Sequence, residues 1–68
     1  MKHTTEAQLL MMFRDRMIPF SGQSGKAVQD QVKTSGADIV KALQINHGHS
    51  LADSLTLMRA VLSDLSIK

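Results

Sequence analysis

Apolar residues recur at spacings of three and four in three separate stretches of the chain, with polar segments between them. That is the period of an amphipathic helix, and no stretch alternates apolar and polar as a half-buried strand would. In the first stretch Leu9, Leu10, Phe13 and Met17 form one stripe. Met11, Met12 and Ile18 carry apolar surface round its sides, so Leu9–Phe13 is an unbroken apolar run inside one helix. A helix packed on one side needs a stripe, not a ring. The remaining faces call for cover by the other helices, a second copy or another protein. Thr4 or Thr5 is the expected N-cap, with Glu6 in the first turn where the helix dipole favours an anion. Pro19 cannot continue the helix and biases Ile18 away from the α region, so the helix should end near Met17.

Phe20-Ser21-Gly22-Gln23-Ser24-Gly25 reads as a loop, with Ser24 as the expected cap of a second helix that starts near Gly25 or Lys26. Val28, Val32, Ile39 and Leu43 share its face, with Ser35 and Gly36 at the small position between them. In one reading a single helix runs to about Gln44 and Gly36 lets a neighbour approach closely. In the other, Thr34-Ser35-Gly36 breaks it and Ser35-Gly36-Ala37-Asp38 opens a new helix. The stripe keeps its phase across Gly36, and an isolated glycine costs only ~1 kcal/mol, so the continuous helix is preferred. Asn46-His47-Gly48-His49 forms the second loop, and Ser50-Leu51-Ala52-Asp53 matches a capping box with Asp in place of Glu. Leu51, Leu55, Met58, Leu62 and Leu65 then follow at heptad spacing, the most regular pattern in the chain, widened by Leu57 and Val61. Ser66-Ile67-Lys68 is expected to fray. The predicted fold is all-α, one small domain over residues 1–68, with three short helices of which the second and third form an antiparallel hairpin.

A domain of 68 residues is only marginally stable alone and commonly adds disulfides, a metal or oligomerisation. With no cysteine, disulfides and thiolate zinc sites are excluded, which leaves oligomerisation, and a homodimer is expected. The apolar fraction of 43% argues against disorder. Phe13 and Phe20 are the only aromatic residues, so the core is aliphatic and Met-rich. Met17 and Met58 lie in line with the stripes and read as core; Met11 and Met12 suit core or interface equally. Residues 1–5 lack the apolar run of a signal peptide, and no run approaches the ~18 residues of a membrane span. The expectation is a soluble, cytoplasmic protein that does not engage a membrane. The net charge of +2 comes from cations scattered along the chain, not gathered as in a typical nucleic-acid binder.

Candidate chemistry is sparse. His47-Gly48-His49, with His3 or a neighbouring chain, has the residue types for a divalent metal, but no cysteine completes a familiar zinc pattern. The serines sit at caps and loops, where backbone hydrogen bonds account for them. Gly22-Gln23-Ser24-Gly25-Lys26 lacks the glycine spacing and preceding strand of a phosphate loop. No catalytic, cofactor or metal site is predicted, and the chain does not read as an enzyme. A helix-turn-helix over Val28–Ile45, turning at Thr34-Ser35-Gly36, has the right length. Ala37 and Ile45 suit its buried slots, whereas Gln31, Val32 and Ser35 do not suit theirs. Only Lys41 and Gln44 stand out in its second helix as groups to reach bases or phosphates.

The pattern from Leu10 to Phe13, followed by Gly25-Lys26-Ala27-Val28 and Ser35-Gly36, resembles the short enterobacterial biofilm and acid-resistance regulators of the AriR type. The resemblance runs through common residues and transfers no functional residue. The favoured expectation is a small regulatory or adaptor protein, for example one that modulates a transcription regulator, acting by protein–protein binding and pairing with itself. Its predicted partner-binding residues are Leu9, Met11, Met12, Phe13, Leu55, Met58 and Leu62. The alternative is a DNA-binding transcription regulator with a degenerate helix-turn-helix.

Overall fold

The computed structural model describes residues 4–68. Glu6–Met17 form α1, Lys26–His47 form α2 and Leu51–Asp64 form α3, with a 3-10 turn over Ile18–Phe20. The described residues contain no strand, and the three helices pack on one another. Thr5 caps α1: its hydroxyl accepts from the Gln8 N–H at 3.1 Å, and Gln8 Oε1 accepts from the Thr5 N–H at 3.0 Å. This reciprocal box satisfies two donors that the first turn leaves open. α1 ends at Met17, and Pro19 falls at the start of the 3-10 turn, where no N–H partner is required.

α2 passes through Thr34-Ser35-Gly36 without a break and extends beyond Gln44 to His47. This is the preferred continuous helix; the alternative helix-turn-helix has no turn, and Ala37 and Ile45 are exposed, Ile45 at 69%. The start of α2 also differs from expectation. Its N-cap is Gly25, not Ser24, and no side chain caps it. Gly25 holds φ at 107°, a conformation that strains any side-chain-bearing residue, so the backbone path fixes glycine at the cap. The helix closes at Gly48, in the left-handed region at φ 68°, whose N–H returns to the Leu43 carbonyl.

Leu9, Phe13 and Met17 of α1 meet Val28, Ile39 and Leu43 of α2, with Met58, Leu65 and Ile67 closing the core. Gly36 is buried where all three helices converge. A methyl group there would run into Met58 Cε and come within 3.2 Å of Phe13 Cε1. The in-phase glycine is thus a site of close helix approach.

Ser50 caps α3 by accepting from the Asp53 N–H at 3.1 Å. The heptad does not map directly onto the buried face. Met58 and Leu65 are buried, Leu55 and Leu62 are half-buried, and Leu51 is 54% exposed. Ser54 takes a core position instead and is fully buried, its hydroxyl donating to the Ser50 carbonyl at 2.9 Å. That bond removes the cost of burying the hydroxyl. The end of the chain is not frayed. Gly22 donates to the Leu65 carbonyl at 2.9 Å, Ile67 to Leu62 at 2.9 Å and Lys68 to Gln23 at 3.2 Å. These bonds strap the tail to the first loop and bury Ile67 under the core.

Candidate interaction surface

α1 leans against both α2 and α3, so two sides of its apolar ring are covered within one chain. Leu9 and Phe13 lie on those sides and are buried, as is Met58 on α3. Met11 and Met12 point outward, 62% and 40% exposed. With Thr4, Gln8 and Asp15 they line a shallow hollow, and Ile18, one heptad on from Met11, is exposed as well.

Leu55 and Leu62 sit on a second surface. Between α2 and α3 an open groove of about 260 Å³ is lined by Val32, Lys33, Gly36, Ala37, Val40, Leu51, Leu55 and Met58. Leu62 lines the neighbouring hollow, together with Gln29, Arg59 and the tail. Of the seven predicted partner-binding residues, Met11 and Met12 thus share one face, Leu55 and Leu62 border another, and the rest are core. The α2 wall of the groove, Val32 and Val40, was absent from the sequence prediction. Val32 belongs to the core stripe of α2, and Val40 lies outside that stripe.

The charged groups hold α1 in place. Arg16 Nη1 donates to Asp38 Oδ1 and to the Ser35 carbonyl, both at 2.8 Å. The hydrogen bond from Arg16 holds the Asp38 carboxyl below the ordinary carboxylate range, and the same bond raises Arg16. Arg14 reaches Asp64 of α3 at 4.0 Å. His47, the last residue of α2, and His49, in the loop that follows, clamp the other end of α1. His47 Nε2 lies 2.7 Å from the Thr4 carbonyl, to which it can donate, and His49 Nε2 lies 2.8 Å from Glu6 Oε2. Each imidazole is therefore engaged in a structural bond. Among the described residues no group of three or more His, Cys, Asp or Glu side chains is placed to hold a metal. His3, the third member of the metal reading, lies outside the described residues. No local pattern signals the clamp, because its partners are 43 residues apart in the chain.

Gly22–Lys26 is an exposed loop and helix start. Among the described residues no helix is long and apolar enough to cross a membrane. No family model, curated protein or solved structure matches the chain.

Proposed function

We propose that the chain is a small cytoplasmic regulatory or adaptor protein that acts by protein–protein binding and pairs with itself as a homodimer. The observation that carries this reading is apolar surface left over once the core is full: Met11 and Met12 on α1, Ile18 in the turn that follows it, and Leu51 with Leu55 on α3. The α1 face is the better fit for self-pairing. Two-fold symmetry sets a patch against its own copy. Met11 and Met12 would form an apolar centre, and Thr4, Gln8 and Asp15 a polar rim. Methionine suits such a contact because its unbranched side chain adapts to an irregular facing surface. Gly36 lies against Met58, and Gln29, earlier on α2, borders the same hollow as Leu62, later on α3, which supports reading α2 and α3 as an antiparallel hairpin. The competing expectation of direct DNA binding rested on a turn at Thr34-Ser35-Gly36, and α2 is continuous there.

Light scattering on a sizing column over a range of concentrations, with circular dichroism on the same fractions, tests the proposal. A helical dimer is expected, and Met12→Asp should give a monomer of similar helix content. A wild-type chain that stays monomeric at every concentration removes self-pairing. If Met12→Asp unfolds the chain instead, Met12 belongs to the monomer core.

A further inference from the structure

The open edge of α3 is longer than the α2–α3 groove alone. Two hollows succeed each other along it, the first containing Leu51 and Leu55, the second Leu62 and Ile67. From Leu51 to Leu62 the edge covers roughly 16 Å at 1.5 Å per residue, about three helical turns. The walls of the first hollow are apolar, Val32 and Val40 on α2 and Leu51 and Leu55 on α3, and the second sets Leu62 and Ile67 among Gln29, Ser63 and Ser66. Every charged side chain that lines the two hollows is a cation, namely Lys33, Arg59 and Lys68. Among the described residues none of these three takes part in an ion pair. The ion pairs among the described residues are Arg14–Asp64 and Arg16–Asp38, both anchored on α1, as is the His49–Glu6 hydrogen bond.

We propose that this track docks an amphipathic helix of a second protein, about three turns long, with one apolar face and Asp or Glu along its flanks. The inference rests on the protein-binding reading above and specifies the chemistry of the partner. Helix-in-groove recognition uses anchors at helical spacing, which the succession of Leu51, Leu55 and Leu62 is built to receive. Charge complementarity then selects the flanks. A second copy fits less well. Groove on groove would oppose Lys33 and Arg59 to their own copies, and the exposed α1 face brings a single acid, Asp15, against the three cations of the track. Nucleic acid also fits less well, because a phosphate backbone gains nothing from walls of Val and Leu.

The test is fluorescence anisotropy with two labelled synthetic helical peptides. Both carry Leu at i, i+4, i+7 and i+11; one has Glu on the flanks, the other Lys. The Glu peptide should bind, more weakly as salt rises, and roughly tenfold tighter than the Lys peptide, as expected of two or three exposed ion pairs. Lys33→Glu with Arg59→Glu should reverse that preference. Leu51→Asp should remove binding with circular dichroism unchanged, because Leu51 is the exposed first residue of α3, where an acid is favourable. Leu55→Asp is a second probe of the same wall. Met12→Asp should bind the Glu peptide like the wild type, which separates this surface from self-pairing. The inference is overturned if neither peptide binds, if both bind equally, if random duplex DNA competes for the track, or if Leu51→Asp splits a wild-type dimer. A monomeric wild type that still binds the Glu peptide would remove the homodimer and leave the groove.

Discussion

Gly36 offers the sharpest test of how the three helices fit together. In an exposed helix, Gly→Ala stabilises by about 1 kcal/mol, because alanine loses less backbone entropy. At Gly36 the added methyl would run into Met58 Cε and come within 3.2 Å of the Phe13 ring, so the gain is opposed by overpacking. Overpacking in a filled core costs about 1–3 kcal/mol. The two contacts are unequal. Phe13 is a rigid ring, but its distance asks for a shift of only a few tenths of an ångström; Met58 must swing its terminal methyl away altogether. The expected net effect of Gly36→Ala is a loss of about 1 kcal/mol, a fall of roughly 4–8 °C in Tm for a domain of this size. Met58→Leu deletes the Cε position at nearly constant volume, for less than about 1.5 kcal/mol. In that background Gly36→Ala should be neutral or stabilising, which gives a coupling of about 1–2 kcal/mol in the cycle. Thermal melts followed by circular dichroism at one fixed protein concentration measure all four corners. The reasoning fails if Gly36→Ala stabilises the wild type by the full propensity gain. In that case the Met58 methyl moves freely into the groove that it and Gly36 line. It fails equally if the two substitutions are additive.

Two further predictions concern surface details of the fold. Asp38→Asn should cost about 0.5 kcal/mol near neutral pH, the ordinary worth of an exposed ion pair. The folded-state pKa of Asp38 is lowered, so this stability is present above the unfolded value near ~3.9 and is lost as pH falls through the folded value. Denaturant melts of wild type and Asp38→Asn should therefore differ at pH 7 and converge at strongly acid pH; a difference that persists there would mean that something other than the Arg16 pair is lost. Ser66 holds φ at 56°, in the left-handed region that disfavours L-residues by about 1 kcal/mol. Ser66→Gly should raise Tm by a few degrees, and a fall would mean that the serine side chain contributes more than its backbone costs.

Much of the fold was legible because its signals are local. Thr5 and Pro19 bracket α1, and Gly48 with Ser50 divides α2 from α3, each through a backbone requirement confined to a few residues. The continuity of α2 was legible from phase alone, since Val28, Val32, Ile39 and Leu43 keep one face across Gly36. The features that were not legible depend on partners far apart in sequence. Ser66-Ile67-Lys68 looks like a fraying end until Gly22 and Gln23 supply its hydrogen bonds. His47 and His49 look like loop residues or a metal pair until Thr4 and Glu6 are folded against them. Ser24 has the better capping side chain, yet the left-handed backbone at the α2 entry puts Gly25 at the cap.

The candidate surface shows the limit of periodicity more clearly. At 100° per residue, Ser54, Met58 and Leu65 centre on a direction rotated roughly 60° from that of Leu51, Leu55 and Leu62. A heptad announces that a helix has an apolar stripe; it does not say which edge of that stripe the core will take. On α3 the core takes the edge nearer Ser54 and Val61, and accepts a serine there because the Ser50 carbonyl satisfies its hydroxyl. The opposite edge, with its leucines, is left beside Val32 and Val40. The same division occurs on α1, where Leu9 and Phe13 go inside and Met11 and Met12 remain outside. A chain of 68 residues that needed only to fold could have placed polar residues at Met11, Leu51 and Leu55 with little loss of core. Their apolar character is surplus to the monomer, and that surplus is the physical reason to look for partners at the α1 face and the α2–α3 groove.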